Sequence, residues 1–462
     1  MRGLLPWELV HTVKSPEGVL IGMRRSAMML TLACRLRGRN TDPGRGHHRC
    51  CGAKAAGWWR LSHLHPRAWH HVPVSVLPSA HGSRVGWFEV FYDLVLVAAV
   101  LHGSKLFDQD PSLAKGAWLA TTLLVLLTMW LLTTLSFNAA PEDSALRRML
   151  TLVQMLALVI ASLSVSRTGG LSDSTGLIAL GVAFASVAVL YAMRARRGGP
   201  TRRGATVVGW STAAAALVCL LGALLPEGSG PYWTHPRTYA FGLALALAVL
   251  PLITIYLGEL ESTGSLDREH LTERIGQLVI ISLGESFADL ILSLGAFESI
   301  PNPPYLVLTF VIIYAVWAIY FRTVLPPGIP TGGGRVRAWI GAHYLLIFGS
   351  IGTAAGFSAL AVVPFDDASA ALASYRLPLP LLYVMVSFIL LTWIAGVTER
   401  GFLLVHAVAA ALLLAVALVG ILAFSERAVT MGALAAAIVL ADLAAVAWIG
   451  RRNRQPLPAQ AT

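Results

Sequence analysis

The chain has 462 residues, 56% of them apolar and only 13% charged, with a formal net charge of +11 at pH 7. Soluble domains carry roughly 45–50% apolar and about 25% charged residues. Ordinary cytosolic, disordered and fibrous classes are therefore excluded, and an all-α integral membrane protein is implied. The charge is uneven: residues 1–82 hold twelve Lys/Arg and three Asp/Glu, a local +9 that leaves +2 for the rest.

Residues 1–82 read as a basic, disordered N-terminal extension, or as sequence upstream of a natural start near Val85. His47, His48, Cys50 and Cys51 are metal-ligand types, but neighbouring side chains diverge too sharply to close a tetrahedral zinc site. No metal and no cofactor are expected. Before Arg24 there is no apolar run long enough for a signal peptide. Trp58, Trp59 and Trp69 among basic residues have the composition of a nucleic-acid binder, without any module signature. The expected partner is the lipid bilayer and its anionic headgroups, not nucleic acid.

From Gly86 onward, apolar runs of a length suited to a ~30 Å hydrocarbon core alternate with short polar loops. Twelve are expected, at 87–106, 116–136, 149–166, 176–193, 207–225, 238–257, 275–295, 304–324, 339–363, 377–397, 402–424 and 429–449. Lys and Arg alternate in density from loop to loop. The richer side holds Arg147, Arg148, the cluster Arg194–Arg203, Arg268, Arg274, Arg335 and Arg337, and ends at Arg451, Arg452 and Arg454. The positive-inside rule makes that side, and both termini, cytoplasmic.

Glu89-Val-Phe91-Tyr-Asp93-Leu94 in the first span returns as Glu285-Ser-Phe287-Ala-Asp289-Leu290 in the seventh, 196 residues later. Arg148 precedes Gln154 by six in the third span, as Arg337 precedes His343 in the ninth. These echoes predict two parallel six-helix repeats, 83–257 and 275–450, joined by a cytoplasmic linker at 258–274 and followed by a tail at 451–462.

The same residues resemble the bacterial low temperature requirement A (LtrA) family. Trp87-Phe-Glu89-Val-Phe91-Tyr-Asp93-Leu94-Val-Leu-Val is similar to the family's opening E-L-F-F-D-L-V-F-V. His270-Leu-Thr-Glu273-Arg274-Ile-Gly276, followed by Leu283-Gly284-Glu285-Ser286, resembles its H-L-x-E-R-x-G…L-G-E-S segment. His343 resembles a further family histidine. The resemblance covers about residues 83–450 and implies a multi-pass protein of the bacterial plasma membrane. It implies no particular reaction.

The chemistry rests on polar groups inside the spans. Glu89 and Asp93 stand one turn apart on one helix face, as do Glu285 and Asp289. A charge at mid-bilayer costs about 2.5–3.5 kcal/mol, so such residues face protein or water and mark a pathway. Two close carboxylates repel and burial disfavours ionisation, so a pair of this kind can carry a proton or hold a small cation. His343 is a candidate relay beside Glu285, because histidine titrates near neutral pH. Ser286 and Gln154 are candidate neutral ligands. Arg148, Arg274 and Arg337 are candidate charge partners. Asp442 and His406, which have no motif around them, read as an interhelical hydrogen bond, and Phe91 and Phe287 as packing residues. No P-loop, H-E-x-x-H or nucleophile elbow occurs, so the chain is not expected to be an enzyme. The leading reading is a proton- or cation-coupled secondary transporter or channel. The alternatives are a membrane-embedded lipid-handling enzyme, and a structural or stress-linked membrane factor with no substrate.

Overall fold

A computed structural model describes residues 86–109, 113–138, 144–168, 173–226, 234–295, 303–361, 376–397, 399–422 and 428–452. All belong to the unit Leu77–Thr462 into which the chain divides after Val76. The basic extension, with His47, His48, Cys50 and Cys51, and residues 453–462 lie outside the described residues.

Among the described residues the regular structure is helical throughout. In order the helices are α1 (Trp87–Gln109), α2 (Leu113–Asn138), α3 (Ala145–Thr168), α4 (Ser174–Arg196), α5 (Arg202–Ala223) and α6 (Pro236–Pro251, continued through Leu252–Tyr256 and Leu257–Ser262). There follow α7 (Arg268–Leu294), α8 (Pro303–Ile319, continued by Tyr320–Val324), α9 (Gly333–Ala361), α10 (Pro378–Ile394), α11 (Arg400–Leu422) and α12 (Ala428–Arg452). Ten of them, α2–α9, α11 and α12, are long and apolar enough to cross a membrane. α10 is apolar but only 17 residues long. The chain is a multi-pass membrane protein.

Local chemistry sets the helix ends. The Asp267 carboxylate accepts the His270 N–H at 3.0 Å and caps α7, as an Asp at a helix N-cap does. The preceding turn closes on Gly264 at φ +65°, with the Ser265 N–H donating to the Leu260 carbonyl at 2.9 Å, a left-handed glycine stop. The segment 258–274, expected as a linker, is mostly helix. Leu257–Ser262 closes α6, and α7 already begins at Arg268. Its acids are used in structure: Glu259 accepts the Gly204 N–H at the start of α5 at 2.5 Å. Pro251 removes one N–H inside α6, and the helix widens into a π-helical turn over Leu252–Tyr256 immediately after it. A second π-helical turn, Tyr320–Val324, ends α8.

The bundle is built around α2, whose apolar window is 83% buried, whereas that of α11 is only 28% buried. Small residues let α9 close on α10. A Cβ at Gly356 would lie 2.5 Å from the Arg376 carbonyl oxygen, and one at Gly349 would lie 3.0 Å from that of Pro380. Close backbone approach of this kind is how membrane helices gain packing energy when lipid is as apolar as leucine.

Candidate functional site

α1, α2 and α7 meet around one carboxylate. Asp93 is fully buried. Its Oδ2 accepts from Arg274 Nη1 at 2.8 Å, and its Oδ1 accepts from Arg274 Nη2 at 2.8 Å and from Trp130 Nε1 at 2.6 Å. The two parallel bonds are the fork geometry that favours arginine over lysine. Arg274 is 1% exposed, and its guanidinium also stands 5.7 Å from the centroid of the Trp130 ring. One turn earlier on α1, Glu89 Oε2 lies 3.6 Å from His270 Nε2 and 4.0 Å from Arg274 Nε. The Gly86 N–H donates to the same oxygen at 3.4 Å, so Glu89 also complements the start of α1. Glu89 meets His270 and Asp93 meets Arg274. α1 and α7 therefore run side by side in the same direction.

A neutral network adjoins this knot. The Gln154 amide on α3 donates to the Tyr92 hydroxyl at 3.0 Å and bonds the Thr133 hydroxyl at 2.9 Å. Gln154 is thus a buried partner of Thr133 and of Tyr92, the residue next to Asp93 in sequence.

The second acid pair stands elsewhere. Glu285, Ser286 and Asp289 are all buried on α7, and the Ser358 hydroxyl of α9 donates to Asp289 Oδ2 at 2.5 Å. Glu285 lies eleven residues beyond Arg274, about 16 Å farther along a helix that rises ~1.5 Å per residue. The four acids therefore do not share one site. Their sequence echo does not place them at one level, because Asp93 pairs with the arginine that precedes Glu285 by three turns.

Several sequence expectations change here. His343 is buried on α9, where Nδ1 meets the Trp339 carbonyl at 2.8 Å and Nε2 meets the Tyr320 hydroxyl at 3.1 Å. A carbonyl only accepts, so Nδ1 carries the proton and Nε2 accepts from Tyr320. Both nitrogens are engaged, and His343 lies fifteen residues before Ser358, about 22 Å along α9. It is not a relay beside Glu285. Arg148 is exposed and pairs with neither Glu89 nor Asp93; the adjacent Arg147 is buried instead, donating to the Ser136 carbonyl and stacking 4.5 Å from the centroid of Phe137. Arg337 lines a 120 Å³ cavity between α2, α6 and α9 with Thr128, Leu252 and Tyr344, away from the acids. Phe91 faces outward, whereas Phe287 packs on Phe310 with centroids 4.5 Å apart. Of the three arginines, Arg274 turns inward to a motif acid.

Other readings stand. His406 Nδ1 donates to both Asp442 oxygens at 2.9 and 3.0 Å, tying α11 to α12. Among the described residues no three His, Cys, Asp or Glu side chains group as a metal site. The sequence does not mark Trp130, His270 and Ser358 as site residues, although His270 lies inside the second motif block. Trp130 and Ser358 lie in apolar runs where nothing separates them from packing residues.

The chain is 26% identical over 291 residues to an uncharacterized protein of Rhizobium meliloti (strain 1021), covering 61% of this chain and 68% of that protein. No solved structure matches it. The family model described as bacterial low temperature requirement A protein matches residues 84–445. That match spans both motif blocks and nearly all the described helices, and the chain belongs to the LtrA family.

Proposed function

We propose that the protein is a proton- or small-cation-coupled transporter or channel of the bacterial plasma membrane, with no enzymatic reaction of its own. Its helices are read as twelve spans in two parallel six-helix halves with both ends in the cytoplasm. The observation that carries the reading is the placement of Glu285 and Asp289, two buried carboxylates one turn apart within α7, a helix long and apolar enough to span the bilayer. Acids at that position cost insertion energy that a purely apolar helix avoids, and pathways are where membrane proteins keep them. In this scheme Asp289 and the Ser358 hydroxyl offer oxygen ligands to a proton or cation. Asp93 and Arg274 hold α1 to α7 as the fixed frame about three to four turns earlier along α7. The parallel course of α1 and α7 supports two halves that start on the same side.

Reconstitution into liposomes loaded with a pH-sensitive dye, with an imposed ion gradient, tests the assignment. Glu285→Gln and Asp289→Asn are each expected to reduce flux at least about tenfold while the protein stays folded. Flux equal to wild type in both would remove the assigned role.

A second reading is a structural membrane factor with no substrate. The bidentate Asp93–Arg274 pair favours it, since the pair consumes one motif acid in holding helices together. It predicts no flux above empty liposomes under any gradient.

A further inference from the structure

The segment between α4 and α5 reads Arg194-Ala-Arg196-Arg197-Gly-Gly-Pro-Thr-Arg202-Arg203. It turns through Gly198 and Gly199, at φ +76° and +90°, and so brings the arginine-bearing ends of two candidate spans together. Arg194 is spent locally, donating to the Thr201 hydroxyl at 2.8 Å. Arg196, Arg202 and Arg203 are exposed and, among the described residues, form no ion pair. Glu259 is the acid beside them, and its Oε2 is taken by the Gly204 N–H.

Two grooves meet at this corner. One, of about 450 Å³, is lined by Gly199, Pro200, Arg202, Arg203, Thr206 and Glu259. The other, of about 380 Å³, runs down between α4 and α5 over Ala188, Val189, Ala192, Gly209 and Ala213, with the exposed ring of Trp210 on its wall. Thr206 lines both, and Arg196 lines the second. The polar groove thus continues into an apolar one, and both belong to helices that would span the membrane. Val189 in this groove and Leu217, Leu220 and Leu221 farther along α5 are exposed, as a lipid-facing surface requires.

We propose that this corner is a binding site for an anionic phospholipid. The phosphodiester meets Arg196, Arg202 and Arg203, and one acyl chain lies in the small-residue groove against Trp210. Charge complementarity selects the headgroup: three unpaired guanidiniums at the bilayer surface attract an anionic lipid by about 1 kcal/mol each. The shape selects a lipid over a free phosphate, because a small anion would leave the 380 Å³ groove unfilled. Aromatic rings such as Trp210 prefer this interfacial depth. The site is independent of any transport by α7.

The full chain in detergent, stripped of lipid, tests it by titration with dioleoyl phosphatidylglycerol, dioleoyl phosphatidylcholine or inorganic phosphate, with bound adducts counted by native mass spectrometry. The expected result is retention of phosphatidylglycerol at least about tenfold over phosphatidylcholine. Arg202→Gln with Arg203→Gln should abolish that preference. Ala192→Leu, which fills the groove without touching the charge, should weaken phosphatidylglycerol as well. Arg451→Gln with Arg452→Gln, equal in charge but on α12, should leave it intact. Equal binding of the two lipids, unchanged retention in either groove variant, equal loss in the α12 variant, or full displacement by inorganic phosphate would each overturn the proposal.

Discussion

The two copies of E-x-F-x-D-L end in different surroundings. Asp93 receives three charge-assisted or indole hydrogen bonds from a buried arginine and a tryptophan. Asp289, at the corresponding place in α7, receives the hydroxyl of Ser358. A carboxylate fixed in a fork is held in one state by its cation, because separating the two strands a charge in a dry interior. The fork thus fastens α1 to α7, and Asp289 belongs to a separate site that α7 shares with α9.

The largest effect should come from breaking the fork. Arg274→Met leaves Asp93 buried with only the Trp130 indole, and losing one partner of a buried pair costs about 3–5 kcal/mol. Thermal unfolding in detergent should show this as a major loss of stability, and Arg274→Met combined with Asp93→Leu should recover most of it. A double variant no better than the single one would mean that the pair is not the fastening element. Trp130→Phe removes one donor while keeping a ring in place. A buried acceptor that loses one of several partners should lose about 1–3 kcal/mol. A loss below ~0.5 kcal/mol would show that Arg274 alone satisfies Asp93 and that the indole only packs.

How far this contrast is legible in the sequence depends on the residue. Glu89, Asp93 and Arg274 stand out because charges within apolar runs are few, and the structure does bring those three together. The helical segments were legible from hydropathy for the same reason. Trp130 was not, because an indole amid Leu, Thr and Met reads as packing until its N–H has a visible acceptor. Arg147 and Arg148 are adjacent, and about 100° of helix rotation decides which is buried; the run Arg-Arg carries no such information. That His343 stands apart from Glu285 is not legible, because its level along α9 relative to Ser358 and Asp289 is a matter of depth that the sequence echo does not carry. The level of the acids was hidden for a geometric reason. A 196-residue echo fixes separation along the chain, whereas depth depends on how α1 slides along α7, and the Asp93–Arg274 fork sets that slide.

The smallest expected effect is also the sharpest test of the contrast. Ser358→Ala deletes the hydroxyl that reaches Asp289 and changes little else, since serine and alanine differ by one oxygen. Hydrogen bonds between membrane helices are worth about 0.6 kcal/mol on average and at most about 1.7 kcal/mol, because polar groups in the unfolded chain also find partners within the bilayer. Unfolding of Ser358→Ala should fall in that range, below the loss for Trp130→Phe, while the variant remains folded enough for liposome assays. Under the proposed transport role, its flux should then change in cation or proton dependence, because a hydrogen-bond partner of Asp289 has changed and the frame at Asp93 has not. A stability loss larger than that of Trp130→Phe would make Asp289 a second fastening point. The two copies of the motif would then differ in partner but not in role.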